Sequence, residues 1–161
     1  MKVRSSIIYW GYLFLGMLII FTDQYTKLWA LQLPASGLQV TSFLILEPMY
    51  NTGISWGMFH HEQTETQLWL FMLITLVMSM LLLYIIRRWR KGHWILPEVL
   101  VLAGASSNFI DRINRGAVVD FIRFFWRDWA FPYFNLADVA IVVGVFGMLF
   151  YTFFVERHEV A

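Results

Sequence analysis

Two aspartates stand in apolar surroundings where a charged side chain is costly to keep. Asp120 lies in the run AVVDFI, and Asp138 lies near the start of the apolar stretch FNLADVAIVVGVFGMLFYTFFV. A carboxylate at the edge of membrane hydrocarbon usually has a function. Two of them in one poorly hydrated site share a proton, so that one can activate a water while the other donates a hydrogen bond. The pair predicts a hydrolytic site with Asp120 and Asp138 as its catalytic residues.

Each aspartate also has a structural interpretation. Asn135 is a preferred helix N-cap residue, and it places Asp138 at the third helical position beside free backbone N–H groups. For Asp120 the structural alternative is a salt bridge with Arg112 or Arg115. Each structural interpretation concerns one aspartate alone. Catalysis requires in addition that the two carboxyl groups lie within reach of one water molecule.

Other polar residues lie near the same ends of the apolar segments. Asp23 and Lys27 are four residues apart, so they face each other on a helix, and a surface ion pair is the favoured interpretation of Lys27. Asp111 and Arg112 are interpreted as part of an ion-pair and hydrogen-bond frame near the site, because arginine can hold a carboxylate by two bonds.

Asn51 stands in the segment NTGISWG, beside Gly53, where the backbone can come close to a ligand. As a turn residue Asn51 needs no function, whereas as an amide donor it could hold a peptide carbonyl. Adjacent histidines point apart on any regular element, so His60 and His61 are not expected to hold a metal together. The sequence contains no cysteine and no zinc-protease, serine-hydrolase or phosphate-loop motif, so neither a metal nor a cofactor is expected.

The composition places the chain in a membrane. Of its 161 residues 59% are hydrophobic and 14% are charged, whereas soluble domains carry about 25% charged residues. The net charge of +1 gives no reason to expect a nucleic-acid partner. The apolar residues form four blocks of nearly membrane-spanning length in one domain over residues 1–161, and the third block is the weakest because it contains Pro97 and Glu98. The predicted spans are 7–22, 68–86, 94–110 and 136–155.

Basic residues set the expected orientation. Lys2 and Arg4 precede the first span, four cations lie within residues 87–91, and Arg157 follows the last span. With four spans these segments share one side, which the positive-inside rule makes the cytoplasm. The first block is expected to be an uncleaved anchor rather than a removed signal, because no small-residue cleavage site follows it. Both termini are then cytoplasmic, and the active site faces outward.

The outer loops, 23–67 and 111–135, are predicted to be structured. The segments LQVTSFLILEPMYN and GISWGMF favour two or three short strands, with turns at 47–48 and 51–53. Such a sheet could bind a lipid or an extended peptide by its edge, or it could only pack on the bundle. The aromatic run FIRFFWRDWAFPYF is expected to lie along the membrane interface as a short helix or an extended flap.

Five motifs in this order resemble those of the lipoprotein signal peptidases, the bacterial type II signal peptidases. They are DQYTK at 23–27, NTGISWG at 51–57, SSNFIDR at 106–112, GAVVDFI at 116–122 and FNLADVAI at 134–141. The resemblance implies a membrane aspartyl protease with Asp120 and Asp138 as its dyad and a β-cradle formed by the first outer loop. It also implies supporting roles for Asp23, Asn51, Asn108, Arg112 and Asn135.

The resemblance implies a substrate as well. In this family it is a prolipoprotein that carries a diacylglyceryl group on a cysteine, and cleavage falls just before that cysteine. The expected location is the bacterial cytoplasmic membrane, with membrane lipid around the enzyme and no required oligomer. The chain departs from the family pattern at Ala103, Ser107 and Trp56, where smaller residues are common, and Trp56 is expected to reshape the substrate groove.

Two other classes of protein use similar features. A proton-coupled transporter also has carboxylates in the membrane, but it needs a polar path across the bilayer. The second span offers only Thr75 and Ser79 for such a path. A structural or assembly subunit would use the aromatic run as a docking surface. Release of a signal peptide from a lipidated precursor separates the peptidase from both.

Overall fold

Four long helices make up most of the described part of the protein. The computed structural model describes residues 2–52 and 64–156. The helices are α1 Lys2–Ala30, α2 Thr64–Arg90, α3 Leu96–Arg115 and α4 Leu136–Phe150, and a π-helical segment, Tyr151–Glu156, continues α4. Segments of α1, α2 and α4 with its continuation are long and apolar enough to cross a membrane, over 7–30, 71–90 and 136–155. Three of the predicted spans thus overlap helices of spanning length and composition in the described part of the chain, and the crossing of a membrane by α3 stays a prediction.

The helices extend beyond the apolar blocks that predicted them. α1 continues to Ala30, eight residues past the expected end at 22, so Asp23 and Lys27 belong to the helix and not to a loop. α3 likewise continues to Arg115. Hydropathy marked only the apolar part of each helix, whereas the polar turns that follow are stabilised by contacts between α1 and α3. The two predicted outer loops therefore begin later than expected, after Ala30 and after Arg115.

A small antiparallel sheet packs beside these helix ends. Its strands are β1 Leu38–Thr41, β2 Leu44–Asn51, β3 Val118–Trp126 and β4 Trp129–Ala130, in the order β1-β2-β3-β4. The aromatic run therefore adopts the extended alternative, as β3 and β4. Met49 of β2 pairs with Asp120 of β3, so the aspartate lies in a strand that is paired with β2.

The predicted turn at 47–48 is wrong. Glu47 and Pro48 lie inside β2, where the register shifts between Leu46 and Met49. Proline has no N–H to donate, and a strand tolerates it at such an irregularity. The predicted third strand, GISWGMF, falls outside the described residues together with Gly53 and Trp56.

Glycine allows α3 and α4 to approach closely. A Cβ atom on Gly104 would clash with the Ala137 carbonyl oxygen. A Cβ on Gly144 would lie 2.6 Å from the carbonyl oxygen of Pro97 and from a methyl group of Val101. Backbone atoms cannot move aside as a flexible side chain can, so only glycine fits at these two crossings. These contacts hold the start of α4 against the middle of α3 and the middle of α4 against the start of α3.

We expect Gly104→Ala or Gly144→Ala to lower the free energy of unfolding by about 1–3 kcal/mol, because the added methyl group separates the two helices. Thermal unfolding in detergent, followed by circular dichroism, measures the change. Gly11→Ala is the matched control, since nothing lies within 4 Å of the added Cβ and alanine favours a helix. Equal stability of the Gly104 and Gly11 variants would contradict the close α3–α4 contact.

Candidate active site

Asp120 is buried at the junction of the sheet and the helices. It lies on β3 with 2% of its surface exposed. Its two carboxyl oxygens accept hydrogen bonds from two amides, Asn51 Nδ2 at 3.0 Å and Asn135 Nδ2 at 2.6 Å. The alternative salt bridge to Arg115 is wrong, because the Arg115 guanidinium donates to Asp111 instead. The Asp120 carboxyl group is thus shielded from water and accepts hydrogen bonds from two neutral donors.

Asp138 lies in the first turn of α4 and completes its N-terminal cap. The Asp138 backbone N–H donates to Asn135 Oδ1 at 2.9 Å, and the Asn135 backbone N–H donates to Asp138 Oδ2 at 3.1 Å. This is the reciprocal capping arrangement that the structural interpretation of Asp138 predicted. The second oxygen, Oδ1, accepts from Asn108 Nδ2 at 2.8 Å. Capping therefore uses one oxygen and leaves the other directed toward α3.

Two asparagines connect the aspartates. Asn135 is fully buried, and its Nδ2 donates to Asp120 and also to Asn108 Oδ1 at 3.1 Å. Asn108 in turn donates to Asp138. A continuous path of hydrogen bonds runs from one carboxyl to the other through these two amide groups. The two carboxyls come from a strand and a helix, yet they belong to one polar cluster.

Lys27 is completely buried, which contradicts the predicted surface ion pair. Its Nζ lies 2.7 Å from an oxygen of Asp23 and 2.7 Å from an oxygen of Asp111. It also donates to Asn108 Oδ1 at 2.8 Å. The helical spacing predicted the Asp23 partner correctly, but no spacing within α1 could reveal that α3 covers both residues. Three acceptors match the three N–H groups of the ammonium.

The lysine also fixes which way the Asn108 amide points. An ammonium can only donate, so the Asn108 atom beside it must be the oxygen. The NH₂ group then faces Asp138. In the same way the Asp138 N–H requires the oxygen of Asn135, and this directs the Asn135 NH₂ group to Asp120. Both aspartates therefore receive donors whose orientation is set by groups farther from the site.

Asp23 and Asp111 have further partners that anchor the cluster. Asp23 accepts from Ser107 Oγ at 2.7 Å and from the Ala137 backbone N–H at 2.8 Å, so it joins α1 to α3 and α4. Asp111 accepts from Arg115 at 2.7 Å and from the Val119 backbone N–H at 3.3 Å. Lys27 and Arg115 thus face two carboxylates with two positive charges. The frame is balanced without help from Asp120 or Asp138.

Gln24 and Ser107 are site residues whose roles the sequence did not suggest. Gln24 Nε2 donates to Ser107 Oγ at 3.0 Å and to Asp111 Oδ1 at 3.0 Å. Ser107 stood out only as a departure from a smaller residue, although its hydroxyl is buried and bonded to Asp23. Their place in the sequence could have indicated these roles, because Gln24 follows Asp23 and Ser107 precedes Asn108.

Arg112 lies at the same edge of the cluster. Its Nη1 donates to the Asn108 carbonyl oxygen at 3.2 Å, and its charge attracts the carboxylates of Asp120 and Asp138. Asn51 approaches from the end of β2 and contacts Asp120 directly. Gly53, the remaining predicted site residue, lies outside the described residues. The structure therefore brings together every other residue that the sequence proposed for the site.

A second polar contact ties the sheet to the start of α4. The Tyr133 hydroxyl donates to Glu47 Oε2 at 2.7 Å and accepts from Arg123 Nη1 at 2.9 Å. These three residues come from β2, β3 and the segment just before Asn135. They join the strand that carries Asp120 to the chain that leads into Asp138. Sequence patterns gave no indication of this cluster.

The electrostatics of Asp120 differ from those of an ordinary carboxyl. Burial, and next the nearby charge of Asp138, raise its pKa to about 7, although its hydrogen bonds with Asn51 and Asn135 oppose the rise. Asp120 therefore keeps its proton up to about pH 7. Within residues 2–52 and 64–156 no group of three or more histidine, cysteine or acidic side chains is arranged to hold a metal ion. What the described site offers is paired carboxyl chemistry.

We expect Lys27→Met to lower the free energy of unfolding by about 3–5 kcal/mol, because it leaves two buried carboxylates without their shared cation. Chemical or thermal unfolding in a neutral detergent measures this. Lys91→Met is the matched control, since Lys91 is exposed and its replacement should change stability by less than about 0.5 kcal/mol. Similar stability of the two variants would mean that the Lys27 ion pairs do not support the fold.

Comparison with known proteins places this arrangement in a family. The family model described as Signal peptidase (SPase) II matches residues 15–154. A lipoprotein signal peptidase of Xanthomonas oryzae pv. oryzae is 37% identical over 162 residues, covering 95% of this chain and 93% of the relative. One from Listeria monocytogenes serotype 4b is 35% identical over 151 residues, covering 91% and 95%.

Solved structures share the fold. Two structures described as bacterial membrane enzymes superpose with TM-scores of 0.70 and 0.72, each at 24% sequence identity. The matches cover 89% and 90% of this chain, and 90% and 94% of the respective structures. At that identity the likeness concerns architecture only. Because the family model covers most of the sequence and relatives above 30% identity span nearly its whole length, the chain belongs to the signal peptidase II family.

Proposed function

We propose that this protein is a membrane aspartic peptidase that removes signal peptides from prolipoproteins, with Asp120 and Asp138 as its catalytic pair. Family membership and the names of its relatives support the reaction. The observation that carries the assignment of residues is the hydrogen-bonded path from Asp120 through Asn135 and Asn108 to Asp138. It joins two carboxyls from different elements in one buried cluster.

The two carboxyls have different environments, which suits them to different roles. Asp138 accepts donors from Asn108 and the Asn135 backbone at the positive end of α4, an environment that stabilises a charged carboxylate. Asp120 also accepts two hydrogen bonds, both from neutral side-chain amides, and burial and the nearby charge of Asp138 raise its pKa to about 7. Asp138 then takes a proton from a water molecule, and that water attacks the scissile carbonyl. Asp120 donates a hydrogen bond to the carbonyl oxygen as negative charge develops there.

The substrate that fits this site is a diacylglyceryl-modified prolipoprotein, cut just before the lipidated cysteine. Exposed aromatic side chains of the sheet, Trp126 and Trp129, and of the β1–β2 turn, Phe43, suit this part of the protein to the membrane interface. Acyl chains could remain in the bilayer while the peptide passes between the sheet and the start of α4. Asn51 and Arg112 border Asp120 and are candidates for positioning the peptide backbone.

Topology follows from the same proposal. We infer that α3 is a fourth membrane-crossing helix within one domain, since it packs between α1 and α4 and joins the basic 87–91 segment to the catalytic pair. Both termini are then on the cytoplasmic side of the bacterial inner membrane. The sheet and the aspartates face outward, where signal peptides emerge. Neither an oligomer nor a nucleic acid is needed for the reaction.

We expect Asp120→Asn and Asp138→Asn each to reduce cleavage of a lipidated precursor by at least about 1,000-fold, because an amide can replace neither the proton acceptor nor the acid. Release of the signal peptide from purified precursor measures the rate, and thermal unfolding confirms that each variant is folded. Asp128→Asn is the control, since Asp128 is an exposed aspartate of the β3–β4 turn. A folded Asn variant with near-normal turnover would remove that aspartate from the catalytic pair.

The pH dependence tests the roles of the two carboxyls. The folded protein holds a proton on Asp120 between its ordinary pKa of 3.8 and about 7, so this group lowers stability as pH rises through that range. If the protonated form is the active one, activity falls as pH rises above about 7, by roughly tenfold from pH 6 to pH 8. Initial rates in lipid nanodiscs measure the profile. A rate that increases steadily across this interval would mean that Asp120 acts in its ionised form.

A further inference from the structure

Strand β2 contains one residue more than a regular pairing with β3 would use. The pairing shifts between Leu46 and Met49, and Glu47 and Pro48 lie within the shift. Two residues of β2 thus oppose a single residue of β3, which is the arrangement of a β-bulge. Beyond the bulge the pairing is regular again, with Met49 opposite Asp120.

The extra residue determines which face of the sheet Asn51 occupies. Side chains alternate between the two faces, so a register change of one residue moves every following side chain to the other face. With the bulge, Met49 lies opposite Asp120, and Asn51, two residues further, shares that face and donates to Asp120 at 3.0 Å. In a regular pairing Pro48 would lie opposite Asp120, and Asn51 would lie on the other face. The hydrogen bond from Asn51 to Asp120 therefore depends on the bulge.

Three polar side chains attach the bulge to the neighbouring segments. Glu47, Arg123 and Tyr133 form the Tyr133 cluster, in which the tyrosine hydroxyl donates to Glu47 at 2.7 Å and accepts from Arg123 at 2.9 Å. The Arg123 guanidinium also lies 4.9 Å from the centroid of the Tyr133 ring. Burial, and next the bond to Glu47, raise the pKa of Tyr133, so the hydroxyl keeps the proton that it donates. Glu47, inside the bulge, is thus held by a donor from outside β2.

The backbone beside Tyr133 is itself bonded to β3. The Phe134 N–H donates to the Ile122 carbonyl oxygen at 3.1 Å, and the Phe134 carbonyl oxygen accepts from the Ile122 N–H at 2.9 Å. These bonds fix the segment that carries the tyrosine against the strand that carries Asp120. The Tyr133 hydroxyl therefore holds the bulge of β2 at a set place relative to β3.

We propose that the Tyr133 cluster positions Asn51 for the reaction, by holding β2 in the register in which Asn51 donates to Asp120. The inference rests on the proposed peptidase function, in which Asp120 is one of the catalytic pair. Because the cluster acts through Asn51, its members are positioning residues and not catalytic ones. Loss of the cluster frees β2 to adopt the regular register, in which Asp120 keeps its bond from Asn135 and loses the one from Asn51.

The titration of Asp120 reports this contact without any peptidase activity. The hydrogen bond from Asn51 lowers the pKa of Asp120 against the effect of burial, so losing that bond raises the pKa. The charged groups that also act on Asp120 belong to other elements and stay in every variant below: Asp138 of α4, Lys27 of α1 and Arg112 of α3. The chain has five aspartates, so carboxyl ¹³C NMR of aspartate-labelled protein in a neutral detergent can follow Asp120, whose signal Asp120→Asn identifies.

We expect Tyr133→Phe and Glu47→Met to move the midpoint of the Asp120 titration to higher pH. The shift should be about half of that caused by Asn51→Leu, which removes the donor outright. Glu47→Gln keeps an oxygen that accepts from Tyr133, so it should leave the midpoint unchanged. Tyr25→Phe is the matched control, since it removes the hydroxyl of an exposed tyrosine on α1. Added to Asn51→Leu, Tyr133→Phe should cause no further shift.

Signal-peptide release by the same variants provides a second measurement. Tyr133→Phe should lower kcat roughly tenfold and change KM by less than about twofold, and Glu47→Gln should keep near-normal turnover. An Asp120 midpoint that Tyr133→Phe leaves in place would overturn the positioning role. An equal shift by Tyr133→Phe with and without Asn51 would overturn it as well. If the wild-type protein released no signal peptide, the proposed function would fail, while the titration would still decide whether the cluster positions Asn51.

Discussion

The buried ammonium of Lys27 is the interaction on which the rest of the structure depends. It lies between Asp23 on its own helix and Asp111 on α3, so it joins the two helices through a pair of buried ion pairs. Removing three charges from water is costly, and that cost is offset only while all the partners stay in place. The ammonium also orients the Asn108 amide. Helix packing and the geometry of the aspartates are therefore set by the same charge.

The site divides into a balanced frame and an unbalanced pair. Lys27 and Arg115 neutralise Asp23 and Asp111, whereas Asp120 is held chiefly by the neutral amides of Asn51 and Asn135. Burial therefore acts on Asp120 with little compensation and raises its pKa. Such surroundings suit a carboxyl that must hold a proton near neutral pH. The two kinds of acidic residue lie within one cluster.

Much of the site could be predicted from sequence because its residues come in short motifs at the ends of apolar segments. The N-cap at Asn135, the helical spacing of Asp23 and Lys27, and the strands of the first outer loop all follow from local rules, and the structure agrees with them. What failed depended on contacts between distant segments. The burial of Lys27 requires α3, and the passage of β2 through Pro48 requires the pairing with β3. The Tyr133 cluster, drawn from three separate segments, had no local signal for the same reason.

Asn135 limits how the sequence of this region can change. Serine, threonine and aspartate begin a helix as well as asparagine does, so by that criterion alone the position should accept four residues. None of the other three carries an NH₂ group, and this residue must also donate to Asp120 and Asn108. The start of α4 and the hydrogen bond to Asp120 therefore both depend on the amide group of Asn135. A substitution that keeps only the cap would leave a well-formed helix beside a cluster without its bridging donor.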